Sequence, residues 1–173
     1  MKIVRLIGLL AAGLLMVIIQ VTWFQSFSWI GLAVNAPLLL VLVLANRLDW
    51  PSSFVMAVVL GGVYQLFSTL PTLVHPAGFI LAVLGTRLLR QRLATSRTST
   101  SLLVSVWGGT AIYYAVVASS IFIAHLFQEV SLIPIWSVWL TAVIWQMIVH
   151  PVVAGLWWIL SRQRRAALHI GTW

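Results

Sequence analysis

The chain has 173 residues, of which 62% are hydrophobic and only 7% are charged. A soluble domain carries about 25% charged residues, so this composition excludes a water-soluble globular protein and predicts one that is embedded in a bilayer. The formal net charge of +8 would indicate nucleic-acid binding in a soluble protein. Here the basic residues flank apolar segments, so we interpret them as topology signals and as contacts to anionic membrane lipids.

Six apolar segments follow one another along the chain, and each is compared with the roughly 17–25 helical residues that cross a bilayer. They are Leu6–Phe24, Ile30–Ala45, Ser53–Leu70, Thr72–Leu89, Leu102–Phe127 and Pro134–Leu160. The first is longer than the apolar part of a signal peptide, about 7–15 residues, so we expect it to be retained as an anchor. The chain is therefore predicted to be an all-α integral membrane protein, with one domain of about six transmembrane helices over residues 1–173.

The basic residues predict the orientation of these helices. Lys and Arg precede the first segment, lie in or at the edge of every second connection and follow the sixth segment. The ten residues are Lys2, Arg5, Arg47, Arg87, Arg90, Arg92, Arg97, Arg162, Arg164 and Arg165. Because positive charge marks cytoplasmic loops, both termini and the two basic connections are predicted to lie in the cytoplasm.

The inventory of reactive side chains is small. Asp49 and Glu129 are the only carboxylates, and they are predicted to lie on opposite sides of the membrane, so no pair is available for acid–base work. A metal site formed by His75, His125 and Glu129 is a weaker alternative, because zinc takes three or four ligands with supporting hydrogen bonds. With no cysteine in the chain, we predict no enzymatic activity, no cofactor and no metal.

Five polar residues lie inside the apolar segments. They are Gln20, Asn35, Gln65, Gln146 and His150. A polar side chain in hydrocarbon costs free energy unless it is hydrogen-bonded, so each is expected to face another helix. Two interpretations remain open: hydrogen bonds that hold the bundle together, or a surface that binds a ligand or a partner protein.

The order of these features resembles the MreD family of bacterial rod-shape-determining membrane proteins. The likeness covers most of the chain and rests on loose motifs. These are the Gln-containing end of the first helix (Gln20 to Gln25), the start of the second at Asn35-Ala36-Pro37 before a Leu/Val run, the third helix with Ser53-Phe54, the fourth running from Gly78-Phe79 to Arg97, and the last with Gln146, Pro151 and Arg162 to Arg165. The family usually has an Asp near the outer end of the third helix, where this chain has Gln65.

The resemblance implies a structural role. MreD-like proteins lie in the bacterial cytoplasmic membrane with MreC and join the elongation complex of MreB, RodA and a class B penicillin-binding protein, which places sidewall peptidoglycan synthesis. Their fold is similar to that of the S subunits of energy-coupling-factor transporters. A vitamin-binding S subunit is therefore the alternative function; Gly8 and Ala12 form a weak version of the small-residue face with which such subunits dock.

Overall fold

A computed structural model describes residues 2–24, 35–68, 70, 73–93, 99–128 and 133–170. These ranges contain six α-helices and no strand, which confirms the prediction of an all-helical chain for the part described. The helices are α1 (Lys2–Ile19, continued by a π-helical stretch, Gln20–Phe24), α2 (Ala36–Ala45), α3 (Trp50–Gln65), α4 (Val74–Leu93), α5 (Ser99–Gln128) and α6 (Ile133–Ile170). The predicted start of the second segment at Ile30, the basic residue Arg97 and the carboxylate Glu129 lie outside the described residues.

Three stretches of helix are long and apolar enough to span a membrane: Ile3–Thr22, Thr100–Phe127 and Leu140–Ser161. The remaining helices are shorter or more charged. α2 is apolar throughout but has 10 residues, α3 has 16, and α4 ends in a turn that carries Arg90 and Arg92. α3 also ends at Gln65 rather than at the predicted Leu70, so the six-crossing topology stays a prediction.

The short helix α2 lies at the centre of the bundle and contacts all five other helices. Its sequence from Pro37 to Ala45 is apolar on every side, and nearly all of these side chains are buried. A helix that is hydrophobic all round is one that is surrounded by other structure. The hydrophobic core of the protein is therefore built around α2.

Two glycines let neighbouring helices approach closely. A Cβ atom on Gly109 of α5 would lie 2.2 Å from Thr86 Oγ1 and 2.7 Å from Leu42 Cδ2. A Cβ atom on Gly61 of α3 would lie 2.9 Å from the backbone Cα of Pro76. Small residues at such contacts increase the packing between helices in lipid, where no hydrophobic force between helices is available.

Arg47 and Arg87 hold three parts of the chain together at one end of the bundle, which we call the arginine end. Arg87 Nη2 donates to the carbonyl oxygen of Leu48 at 2.5 Å, so the last turns of α4 lie beside the turn between α2 and α3. Arg47 Nη2 in that turn donates to Ser161 Oγ of α6 at 3.3 Å. The α2–α3 turn, the last turns of α4 and the Ser161 region of α6 therefore lie together.

The outer surface of α6 carries a continuous apolar stripe. Its residues are spaced four apart and each is more than half exposed: Leu140, Ile144, Ile148, Val152, Leu156 and Leu160. At a rise of 1.5 Å per residue the stripe is about 30 Å long, which equals the thickness of the hydrocarbon core. The surface therefore matches the membrane interior in both length and polarity.

Candidate functional site

The first turn of α2 is buried inside the protein. Asn35, which is only 3% exposed, is its N-cap residue, and its side-chain oxygen accepts a hydrogen bond from the backbone N–H of Leu38 at 3.1 Å. The first N–H groups of a helix have no partner within the helix, and a buried helix start must find acceptors elsewhere. The surroundings of Asn35 therefore have to supply polar atoms.

Two other helical segments supply those acceptors. The side-chain oxygen of Gln20, in the π-helical stretch that follows α1, accepts from the N–H of Ala36 at 3.2 Å. Nε2 of His150, in α6, accepts from the N–H of Asn35 at 3.3 Å. Pro37 has no N–H to satisfy. Three of the five predicted polar residues thus act as caps on a single buried helix start.

The hydrogen bonds of His150 determine its protonation state. Because Nε2 accepts a backbone N–H, the ring is neutral and its proton is on Nδ1. Nδ1 lies 3.0 Å from Oγ1 of Thr110 in α5, and that hydroxyl in turn donates to the carbonyl oxygen of Val106 at 2.9 Å. A consistent set of donors and acceptors therefore runs from α2 through α6 to α5.

Gln146 extends this polar interior by one turn of α6. Its side-chain oxygen accepts a hydrogen bond from the hydroxyl of Tyr114 in α5, and both residues are buried. Residues four apart share one face of a helix, so Gln146 and His150 both face α5. We call Gln20, Asn35, Thr110, Tyr114, Gln146 and His150 the polar interior; it contains four of the five predicted residues.

Gln65 has a different location, at the last residue of α3 beside the connection to α4. Its side-chain oxygen accepts from the N–H of His75 at 3.1 Å, and its amide nitrogen donates to the carbonyl oxygen of Leu70 at 3.0 Å. The ring of His75 is bonded on both sides, since Nδ1 lies 2.6 Å from the Tyr113 hydroxyl and Nε2 lies 2.7 Å from Ser68 Oγ. Gln65 therefore holds a connecting segment in place.

The sequence interpretation did not identify the tyrosines as part of this arrangement. The chain has three, Tyr64, Tyr113 and Tyr114. The ring of Tyr64 meets that of His75 edge-on at 4.8 Å between centroids, and Tyr113 and Tyr114 meet each other edge-on at 5.0 Å. Their position in the sequence could have indicated this. Tyrosines of membrane proteins usually lie at the interface, whereas Tyr113 and Tyr114 lie in the middle of an apolar segment.

The polar groups of this arrangement form hydrogen bonds with other groups of the same protein. The polar side chains described above hydrogen-bond to the backbone or to side chains of neighbouring helices, and their bonds join segments distant in the sequence. Among the residues that the structure describes, no three His, Cys, Asp or Glu side chains converge on one point. His75, the residue considered for a metal site, has both ring nitrogens occupied.

Comparison of the chain with protein-family models, with curated proteins and with solved structures gives no match. The geometry of the chain itself is therefore the basis for inferring its function. Two features stand out: an interior whose polar atoms bond to one another, and an apolar exterior on α6 as long as the membrane is thick.

Proposed function

We propose that this protein is a non-enzymatic scaffold of the bacterial cytoplasmic membrane, similar in role to MreD, which binds an MreC-like partner within the cell-elongation complex. One observation carries the proposal. The polar groups of the interior cap the start of α2 and join α5 to α6, so they stabilise the bundle rather than face a substrate. The surface left for function is the outside of the bundle.

The apolar stripe of α6 is the surface that suits a partner's anchor helix. A second transmembrane helix packs along such a stripe by van der Waals contact over the whole thickness of the membrane. α6 makes most of its described contacts with α5, and the stripe lies on a side that no described residue covers. This arrangement supports a role as a platform for the elongation complex, including RodA and a class B penicillin-binding protein beside MreB.

The proposed topology has six crossings with both termini in the cytoplasm. It is supported by the contacts of the arginine end, because Arg47 in the α2–α3 turn and Arg87 in the last turns of α4 lie at the same end of the bundle as Ser161. The chain lacks cysteine, so Arg92→Cys and Arg164→Cys each introduce a unique thiol for labelling in intact cells. Both thiols are expected to be protected from an impermeant reagent; labelling on opposite sides contradicts the topology.

An S subunit of a vitamin transporter is the second candidate. It is favoured by the face of α1, where Gly8 and Ala12 are exposed and open space surrounds Gly8, as docking on a coupling subunit requires. It is disfavoured by the polar interior, whose hydrogen-bonding atoms are engaged with each other. A vitamin that stays bound to the purified protein would favour this candidate over the scaffold.

The scaffold is tested by partner capture and by cell shape. The tagged full chain is purified in mild detergent together with the MreC-like protein of the same bacterium, and depletion of the chain is expected to turn rods into spheres. The stripe variant Ile144→Ala with Ile148→Ala is expected to recover less partner. A matched variant, Ile123→Ala with Leu126→Ala, removes two aliphatic groups of α5 that are also more than half exposed, and it is expected to recover the normal amount of partner.

Two results would overturn the proposal. Depleted cells that keep their rod shape and their pattern of wall insertion would remove the role in elongation. Equal partner recovery by the stripe variant and the α5 variant would remove α6 as the binding surface.

A further inference from the structure

A cleft of about 230 Å³ opens at the arginine end of the bundle. Its lining combines two guanidinium groups with one amide and two apolar side chains: Arg87, Arg90, Gln91, Ala45 and Leu48. The first three belong to the last turns of α4, and the other two belong to the end of α2 and the turn that follows it. The cleft thus offers hydrogen-bond donors on one side and apolar atoms on the other.

Both arginines of the cleft are held in place by the chain. Arg87 Nη2 donates to the Leu48 carbonyl oxygen at 2.5 Å and to Ser53 Oγ at 2.9 Å, and its guanidinium lies over the ring of Trp50 at 5.3 Å from the centroid. Arg90 donates through Nη1 to the carbonyl oxygen of Asn46. A guanidinium has five N–H donors, and these bonds involve one nitrogen of each group. Within the described part of the chain, positioned Nη donors therefore remain for a ligand.

The positive charge of the cleft exceeds what the chain can balance. The negative charge of Asp49 stabilises the charged guanidinium of Arg87, whereas the positive charge of Arg90 destabilises it. Within the described part of the chain, Nε of Arg87 is buried without a hydrogen-bond acceptor. The whole sequence has two acidic residues against ten basic ones, so the remaining charge must be balanced by an anion from outside the protein.

We propose that this cleft binds the phosphate group of an anionic phospholipid. Fixed guanidinium groups match phosphate oxygens in geometry and in charge. Leu88, which follows Arg87 in the chain, is 59% exposed, and Trp50, whose ring lies under the Arg87 guanidinium, is 41% exposed. Exposed apolar and aromatic side chains beside arginines are typical of the boundary between headgroups and hydrocarbon. A phospholipid presents a phosphate and acyl chains together and so meets both sides of the cleft. This site does not depend on the scaffold role.

The test compares two variants with the same change in charge. Gln91→Glu places a carboxylate in the cleft and leaves both arginines with their bonds, whereas Arg92→Gln removes a positive charge from an exposed position outside the cleft. Binding of phosphatidylglycerol and of phosphatidylcholine to the full-length protein in detergent is measured by native mass spectrometry during lipid titration. Inorganic phosphate is added as a competitor, and circular dichroism verifies the fold of each variant.

We expect the parent protein to bind one phosphatidylglycerol in preference to phosphatidylcholine. Gln91→Glu is expected to weaken that binding by tenfold or more. General attraction between a surface arginine and anionic lipid accounts for about fivefold, so Arg92→Gln is expected to stay within that factor. Arg90→Gln, which removes a cleft donor, is expected to follow Gln91→Glu.

Three results would overturn the proposal. Equal weakening by Gln91→Glu and Arg92→Gln would show a diffuse surface attraction without a site. Equal binding of the two lipids would remove the anion requirement. Displacement of the lipid by millimolar inorganic phosphate would assign the cleft to a soluble phosphate ligand and exclude the lipid as its occupant.

Discussion

Replacing His150 by Leu is the sharpest test of the polar interior. The side chain is fully buried, and the substitution leaves a similar volume while it removes the acceptor for the Asn35 N–H and the partner of Thr110. Hydrogen bonds between membrane helices contribute about 0.6 kcal/mol on average, and a buried donor left without an acceptor costs about 1–3 kcal/mol. The free energy of unfolding is therefore expected to fall by about 2 kcal/mol.

The loss is measured by unfolding in mixed micelles of increasing SDS content, followed by circular dichroism and by tryptophan fluorescence. The control is Ile148→Ala, which changes a half-exposed residue two positions away on the same helix and is expected to shift stability by less than about 0.5 kcal/mol. A double-mutant cycle with Thr110→Val isolates the pairwise interaction. Unfolding of His150→Leu at the same SDS fraction as the parent and the control would show that these hydrogen bonds do not stabilise the bundle.

Four further substitutions test three other contacts; stability is measured in the same micelles, and Gln65→Leu is also followed by limited proteolysis. Gln20→Leu deprives the Ala36 N–H of its acceptor and is expected to cost about 1–3 kcal/mol; an unchanged midpoint would mean that this cap contributes nothing. Gly109→Ala brings a methyl group against Thr86 and Leu42 and is expected to lower stability by about 1–3 kcal/mol. The control Gly62→Ala has open space around it and is expected to be neutral or stabilising by up to about 1 kcal/mol. Equal effects of the two substitutions would contradict the close approach of α5 to its neighbours. Gln65→Leu is expected to accelerate proteolysis between α3 and α4 with little change in global stability, and a parental cleavage rate would argue against its role in that connection.

The sequence was sufficient to predict the helical character of the chain, because long apolar runs without charge have few other structures available in lipid. The predicted second segment, Ile30–Ala45, ends where α2 ends, but the role of Asn35 as the N-cap of a helix that begins at Ala36 comes from the structure. The helix ends were less predictable. α3 stops at Gln65, where the side chain bonds to Leu70 and to the His75 backbone, and these contacts are tertiary.

The meeting of polar residues from four parts of the chain was beyond the sequence. Hydropathy assigns Gln20, Asn35, Gln146 and His150 to membrane depth, but it contains no information on which helices are neighbours. The same holds for Arg87, which the charge pattern identifies as a topology signal. Its bonds to Leu48 and Ser53 depend on the packing of α4 against the turn before α3. The residue types predicted that these side chains need hydrogen-bond partners, but the identity of those partners depends on the fold.

The dependence of α2 on later helices has a consequence for biosynthesis. At about 15 Å, this helix covers only half of the hydrocarbon thickness, and its cap from α6 is made more than a hundred residues after Asn35 leaves the ribosome. Until α6 has been synthesised and packed, the backbone N–H of Asn35 needs another acceptor, such as water or an insertion factor. Chains truncated before α6 therefore lack the acceptor that the structure supplies for the Asn35 N–H at the buried start of α2.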